Sequence, residues 1–276
     1  MYIVKTTGQQ EKFDPKKIER TCLRAGASKR MAREIARKVE EKIRPGMSSR
    51  EVLQITLDFL HKEKPFIAAR YDLKGAIFRL GPAGFAFEHL VGEILERYGY
   101  KTKIGTIVRG NCVSHEIDVI ATKKGKTHMM ECKYHNIPGI YTGLRESLYT
   151  YARFLDLQDG YKKRLCQRFD TPWLICNTKF SGEAIKYAKC RGMMMTGWNY
   201  PQNKGLERLI EHKKLYPVTM LRGLDRETRD KLAMNDFILI EDILKTDIRE
   251  LHKITNIKTR KLKFLIHEAE GIQKLK

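Results

Sequence analysis

The sequence predicts an α/β protein in which a mixed sheet with flanking helices lies between two mostly helical segments. Three observations support this fold class. Residues 1–82 follow helical periodicity after one short strand pair, residues 83–217 alternate helical and strand-like runs, and residues 218–276 return to short amphipathic helices. We therefore expect three domains with these bounds, each within or below the usual size range.

The composition favours a basic, intracellular protein. Lys and Arg number 54 against 33 Asp and Glu, for a net charge of +21 in 276 residues. An excess spread along the chain favours a polyanionic partner, nucleic acid before an anionic membrane surface. The six cysteines form no CxxC pair, which favours reduced thiols. Since no signal peptide or membrane span is evident in the sequence, we expect a cytoplasmic location and no membrane partner.

In the N-terminal segment, two short strands, YIVK and EKF, flank the turn TTGQQ. Helical runs follow, with Ser28 capping the second helix and Ser48 or Ser49 capping the third. The fourth run, IAARYDLKGAIFRL, ends at Gly81-Pro82, a strong helix-terminating signal.

The central segment begins with the helical run FAFEHLVGEILERYG. Alternating and buried strand patterns then separate helical runs, as expected for a mixed sheet with helices on its faces. The runs that follow, in order, are KTKIGTIV, HEIDVIATKKGKTHMMECKYH, GLRESLYTYARFLDL, PWLICNTK, GEAIKYAKCRG and MMMTGW.

The C-terminal segment is predicted to be entirely helical. Its four short runs are joined by tight links, which predicts a small all-α domain. The runs are DRETRDKLAMN, IEDILK, DIRELHKI and TRKLKFLIHEAEGI.

The central hairpin places two acids opposite each other. A loop of two or four residues around Lys124-Gly125 gives one register, in which Asp118 faces Glu131 and Glu116 faces Lys133, with Ile117 on the other side. Two carboxylates about 5 Å apart repel by about 3 kcal/mol at an effective dielectric near 20.

Three arrangements would relieve this repulsion: protonation of one carboxyl, neutralisation by Lys133, or a divalent cation between the acids. A surface hairpin with solvated charges is the structural alternative. A three-residue loop would shift the register by one residue and remove the pairing.

Asp118 followed by Glu131-x-Lys133, after a helix bearing Glu88, resembles the PD-(D/E)xK nuclease core, and more narrowly the Mrr-like restriction endonucleases. The resemblance implies that Asp118 and Glu131 ligate Mg²⁺ or Mn²⁺, that Glu88 adds an outer carboxylate, and that Lys133 orients the attacking water. The family often has Pro where Ile117 stands here.

IVKTTGQQEKFDPKKI, together with SSREV and IAARYDLKGAIFRLG, resembles the ATP-cone, a regulatory nucleotide-binding domain. The resemblance implies that ATP or dATP binds at Lys5, Glu11, Asp14 and Lys17. Many members carry Lys-Arg where Lys5-Thr6 stands here. The domain is not expected to hydrolyse nucleotide, since the sequence has no GxxxxGK[ST] loop. The alternative is a small helical packing or dimerisation domain.

LHKITNIKTRKLKFLIHEAEGI resembles a helix-hairpin-helix unit, which binds DNA phosphates through a turn between its helices. Asn256 in this turn tolerates a left-handed conformation, and Lys258 stands where a second glycine is usual. A purely structural helical cap is the alternative.

These features together predict a metal-dependent DNA endonuclease regulated by nucleotide binding to the ATP-cone, with a homodimer favoured if both strands are cut. The alternative is a nucleotide-sensing DNA-binding regulator whose nuclease-like core is inactive. An RNA-processing nuclease is a third interpretation, although no single-strand or RNA-binding motif supports it.

Overall fold

A computed structural model describes residues 1–81 and 84–275, and divides the chain into two units. Unit 1 combines Met1–Arg79 with Tyr216–Lys276, and unit 2 is Leu80–Leu215. The N- and C-terminal segments thus fold together, around the point where the central segment is inserted. The expected boundary between Pro82 and Ala83 lies outside the described residues.

The N-terminal part of unit 1 is a strand pair followed by five helices. Ser28 and Ser48 cap the second and third helices as predicted, and Ser48 forms a capping box with Glu51. A core that includes Ile35, Val39 and Leu60 lies between these helices. The elements are β1 (Tyr2–Val4), β2 (Gln10–Lys12), α1 (Pro15–Arg24), α2 (Lys29–Glu40), α3 (Ser49–Glu63), α4 (Pro65–Tyr71) and α5 (Leu73–Phe78).

Unit 2 contains the predicted mixed sheet, with strand order β3-β4-β5-β7-β9. The pairs β3–β4 and β4–β5 are antiparallel, and β5–β7 and β7–β9 are parallel. Helix α6 packs against β3, β4 and β5, and α7 packs against β3 and β7. The elements are α6 (Phe85–Arg97), β3 (Lys101–Arg109), β4 (Ser114–Lys123), β5 (Lys126–Lys133), β6 (Tyr141–Thr142), α7 (Leu144–Lys162), β7 (Thr171–Cys176), β8 (Lys179–Phe180), α8 (Gly182–Arg191), β9 (Met194–Thr196) and α9 (Leu206–Lys213).

The C-terminal part of unit 1 is helical, as predicted. A single 3-10 turn, Val218–Met220, precedes four helices. The helices are α10 (Arg226–Met234), α11 (Ile240–Lys245), α12 (Ile248–Thr255) and α13 (Thr259–Lys274).

Arg70 on α4 joins the two parts of unit 1. Its guanidinium is buried, donates to the carbonyl of Ile272 at 2.7 and 3.0 Å, and donates to that of Leu275 at 2.7 Å. These are carbonyls at the end of α13, where the helix dipole favours a cation. Phe66 packs so closely on Gly271 that a Cβ there would lie 2.3 Å from its ring. The last helix is therefore part of the N-terminal fold.

Replacing Arg70 by Met is expected to destabilise the docking of α13 by about 3 kcal/mol, because buried carbonyls lose a charged donor. Hydrogen exchange of the α13 amides should then be about a hundredfold faster. Arg79→Met is the control, since Arg79 is exposed and pairs with Asp72 on the surface. Equal exchange in the two variants would contradict this role of Arg70.

Two further observations concern the whole described chain. No helix within residues 1–81 and 84–275 is long and apolar enough to cross a membrane. The six cysteines are unpaired; Cys22, Cys132 and Cys176 are buried, whereas Cys112 and Cys190 are exposed.

Candidate functional site

The hairpin β4–β5 has the predicted register, with Val119 opposite Met130 and Lys123 opposite Lys126. The regular ladder ends at Val119 because Asp118 Oδ2 accepts the Cys132 N–H at 2.7 Å. The two strands thus part where the acids lie, and the Asp118 side chain bridges the opening.

The expectation that side chains alternate strictly between the two faces of the sheet was wrong for Ile117. Ile117 was expected on the same face as Val119 and Met130. Ile117 is fully buried and belongs to the core cluster of Ile120 and Met129, with Phe154 of α7. The irregularity coincides with the end of the ladder at Asp118. The β3–β4 ladder also lacks a pair between Asp118 and Gly105, whose φ is 57°, and strand alternation depends on continuous pleating.

Glu88 lies in the first turn of α6, and its charge interacts with the hairpin acids. Burial, followed by the charges of Asp118 and Glu116, raises the pKa of Glu88 to about 7. Burial and the charge of Asp118 likewise raise the pKa of Glu131 to about 7. The pKa of Asp118 is also raised, chiefly by burial. Three acids therefore share one partly buried site that is short of positive charge.

Lys133, two residues after Glu131 on β5, supplies part of the missing charge. Its charge lowers the pKa of both Asp118 and Glu131, against the larger effect of burial. The structure thus places all four residues of the predicted nuclease motif in one electrostatic cluster. Their catalytic roles remain predictions.

Arg153 on α7 is a site residue that the motif did not include. It is 8% exposed, donates to Glu131 Oε2 and to the Glu116 carbonyl, and its Nε–H is buried without a partner in the described structure. One sequence signal could have identified it: Arg153 lies on the apolar stripe of α7, between Thr150 and Leu157. A cation on a buried helix face usually has a buried anion to neutralise.

The donor set suits a hard divalent cation, since Mg²⁺ and Mn²⁺ prefer carboxylate oxygens. Among the described residues, however, no group of three Asp, Glu, His or Cys side chains is close enough to hold a metal ion. Arg153 contacts Glu131 Oε2, and the Cys132 amide contacts Asp118 Oδ2. The carboxylate oxygens of the acids are therefore suitable ligands for a divalent cation. To bind it, the Glu131 side chain would have to rotate away from Arg153.

Replacing Glu88 by Gln is expected to raise the melting temperature at pH 8 by about 3 °C and to leave it unchanged at pH 5. The folded-state pKa of about 7 lies above the ordinary value of 4.5, so folding favours the protonated acid. The contribution of the protonated Glu88 carboxyl to the free energy of unfolding is therefore fully present below pH 4.5. It is lost as the pH rises through 7. Thermal unfolding without divalent ions tests this, with Glu93→Gln on the same helix as control. If the melting temperatures of the wild type and Glu88→Gln differ by the same amount at pH 5 and pH 8, the raised pKa of Glu88 is contradicted.

The N-terminal hairpin and helix α1 bring together three of the four predicted nucleotide contacts. Lys5 Nζ lies 3.1 Å from Glu11 Oε2, and Lys17 Nζ contacts Glu11 Oε1. The bond from Lys17 lowers the pKa of the Glu11 carboxyl. Asp14 instead caps α1, where its Oδ1 accepts the Lys16 N–H at 3.0 Å. A triphosphate would have to replace Glu11 as the partner of both lysines.

In the C-terminal helices, the turn between α12 and α13 contains Asn256 in the left-handed conformation, as predicted. Lys258, Arg260 and Lys263 are exposed beside this turn, whereas Lys261 pairs with Asp225 at 3.0 Å. Three cations thus remain exposed beside the turn, in a geometry compatible with phosphate contacts.

The hairpin with its lysines and the helices behind it place the N-terminal part among the ATP-cone domains, and the family model "ATP cone domain" matches residues 1–73. The chain belongs to the AF1548-like family. The family model "AF1548-like, C-terminal" matches residues 216–273. An uncharacterized protein of Archaeoglobus fulgidus is 44% identical over 182 residues, which is 66% of this chain and 99% of that protein.

A solved structure agrees with this assignment. The crystal structure of the protein of unknown function AF1548 is 43% identical, with a TM-score of 0.62, and the match covers 69% of this chain and 98% of that one. The ATP-cone supports nucleotide binding by this chain.

Proposed function

We propose that this protein is a metal-dependent DNA endonuclease of the PD-(D/E)xK type, resembling the Mrr-like group, and that ATP or dATP bound to the ATP-cone regulates it. The observation that carries the proposal is the meeting of Glu88, Asp118, Glu131 and Lys133 where β4 and β5 part. Three partly buried acids with one lysine on adjoining elements are costly for stability, and such a cluster is typical of a functional site.

In this proposal Asp118 and Glu131, with Glu88, would hold one Mg²⁺ or Mn²⁺, and the ion would supply positive charge to the phosphoryl oxygens and lower the pKa of the attacking water. Lys133 would orient that water, since it lies two residues after Glu131 on β5 beside the two acids. Arg153 holds Glu131 in place before the cation binds.

DNA is the proposed substrate because the chain carries a net charge of +21 and exposes Lys258, Arg260 and Lys263 at a turn between two helices. Cleavage of both strands of a duplex would require two sites, for which a homodimer is the simplest arrangement.

A second function is favoured by Arg153. Because its guanidinium already pairs with Glu131, the core also fits a protein in which an internal ion pair stands in place of the metal site. The chain would then be a nucleotide-sensing, DNA-binding regulator without nuclease activity.

One experiment separates the two functions. The purified protein is incubated with supercoiled plasmid and Mg²⁺ or Mn²⁺, with and without ATP or dATP, and binding to the same plasmid is measured in EDTA. Cleavage that depends on the metal and changes with nucleotide supports the endonuclease. Binding that responds to nucleotide, without cleavage under any condition, supports the regulator.

A further inference from the structure

Unit 2 contains a half-open pocket of about 560 Å³, away from the acid cluster. Its walls come from the end of α6 and the residues that follow it, the hairpin end of β4, β7, α8, β9 and α9, and the loop between β9 and α9. This volume is within the range of small-ligand sites.

The pocket is rich in aromatic side chains. Tyr98, Tyr100, Trp173 and Tyr200 line it. The Trp173 side chain is positioned by a hydrogen bond, since its Nε1–H donates to Thr196 Oγ1 at 3.0 Å. The centre of its ring lies 6.0 Å from that of the Tyr100 ring. The three tyrosines are partly exposed, so their rings are accessible to a flat ligand. Such surfaces suit stacking with a planar ring.

The charged groups of the pocket all have one sign. Lys123, Lys189 and Lys204 line it, and no Asp or Glu does so among the described residues. Lys123 is oriented by the Tyr98 carbonyl and lies 4.9 Å from the centre of the Tyr100 ring. Lys189 and Lys204 are exposed. An occupant should therefore combine a flat aromatic part with negative charge.

Helix α6 relates the pocket to the acids. Glu88 lies in its first turn and Tyr98 caps its end, ten residues later. At 1.5 Å per residue, the two ends are about 15 Å apart. A nucleic-acid strand that extends a few nucleotides beyond the acid cluster would reach the pocket, so the two sites are distinct but within reach of one strand.

We propose that this pocket binds one nucleotide unit, its base between the aromatic side chains and its phosphate at the lysines. Two ligands could supply this nucleotide unit: a free mononucleotide, or an unpaired nucleotide of a DNA strand. The proposal is independent of cleavage, because it needs neither a metal ion nor the acids.

Trp173 provides a local readout. The chain has two tryptophans, both in unit 2, so Trp198→Phe leaves Trp173 as the sole tryptophan. Thymidine 5′-monophosphate and a ten-residue oligo(dT) are titrated into this protein in EDTA while its fluorescence is recorded. The ATP-cone carries no tryptophan, so nucleotide bound there is not expected to give the same signal.

We expect saturable quenching by at least one probe, and about tenfold weaker binding in Tyr100→Leu, which removes a stacking ring but keeps an apolar wall. Lys189→Glu should also weaken binding, whereas Lys186→Glu, also exposed on α8 but not lining the pocket, should have little effect. Quenching by oligo(dT) alone assigns the site to a strand, and equal quenching by the mononucleotide assigns it to a free nucleotide.

The proposal is overturned if neither probe alters Trp173 fluorescence at millimolar concentration. It is also overturned if Lys189→Glu and Lys186→Glu weaken binding equally, since the effect would then be one of general charge.

Discussion

Replacing Asp118 by Asn is expected to reduce metal-dependent DNA cleavage by about a thousandfold, the loss anticipated when a metal ligand is removed. Asparagine retains an oxygen that can accept the Cys132 N–H, so the hairpin should keep its structure while the charge is lost. Plasmid nicking with Mg²⁺ or Mn²⁺ measures the effect, and melting temperature confirms that the variant is folded. Lys133→Ala should likewise abolish cleavage.

The matched control is Asp159→Asn, an exposed acid on α7 that pairs with Lys162. Both variants remove one negative charge from unit 2, so general electrostatics changes equally in each. DNA binding in EDTA should be retained in all of them. Undiminished cleavage by Asp118→Asn would refute the site.

Replacing Lys5 by Ala is expected to weaken ATP or dATP binding by about tenfold to a hundredfold, the usual contribution of a hydrogen bond to a charged group. Lys5 and Lys17 lie on either side of Glu11, so one of two converging cations is lost. Isothermal titration calorimetry with each nucleotide measures the affinity.

Lys29→Ala is the control for this change, because Lys29 is exposed at the start of α2, outside the hairpin. If Lys5→Ala and Lys29→Ala bind nucleotide equally well, the nucleotide site lies elsewhere in the chain. The result is independent of the endonuclease proposal, since binding is measured without DNA.

Local features were predictable because they depend on neighbouring residues. Ser28 and Ser48 cap helices, Asn256 adopts the left-handed conformation, and the short loop at Lys124-Gly125 sets the hairpin register. Each follows from backbone hydrogen bonding within a few positions. The register of the hairpin could therefore be inferred before any fold was known.

Features that join distant segments were not predictable in the same way. Arg153 reaches Glu131 from a helix 22 residues further along the chain, and Arg70 holds carbonyls about 200 residues away. Ile117 lies on the unexpected side where both neighbouring strands depart from regular pairing at Asp118. No periodicity in the sequence encodes such contacts.

By itself the sequence determined the α/β fold class, the order of its elements, the ATP-cone at the N-terminus and the register of the hairpin. Only the tertiary structure decided that the C-terminal helices fold with the N-terminal segment, that an arginine pairs with Glu131, and that four aromatic and three lysine side chains from separate parts of unit 2 line one pocket. The physical reason is range: caps, turns and alternation act over a few residues, whereas burial and ion pairing depend on which remote surfaces the folded chain brings into contact.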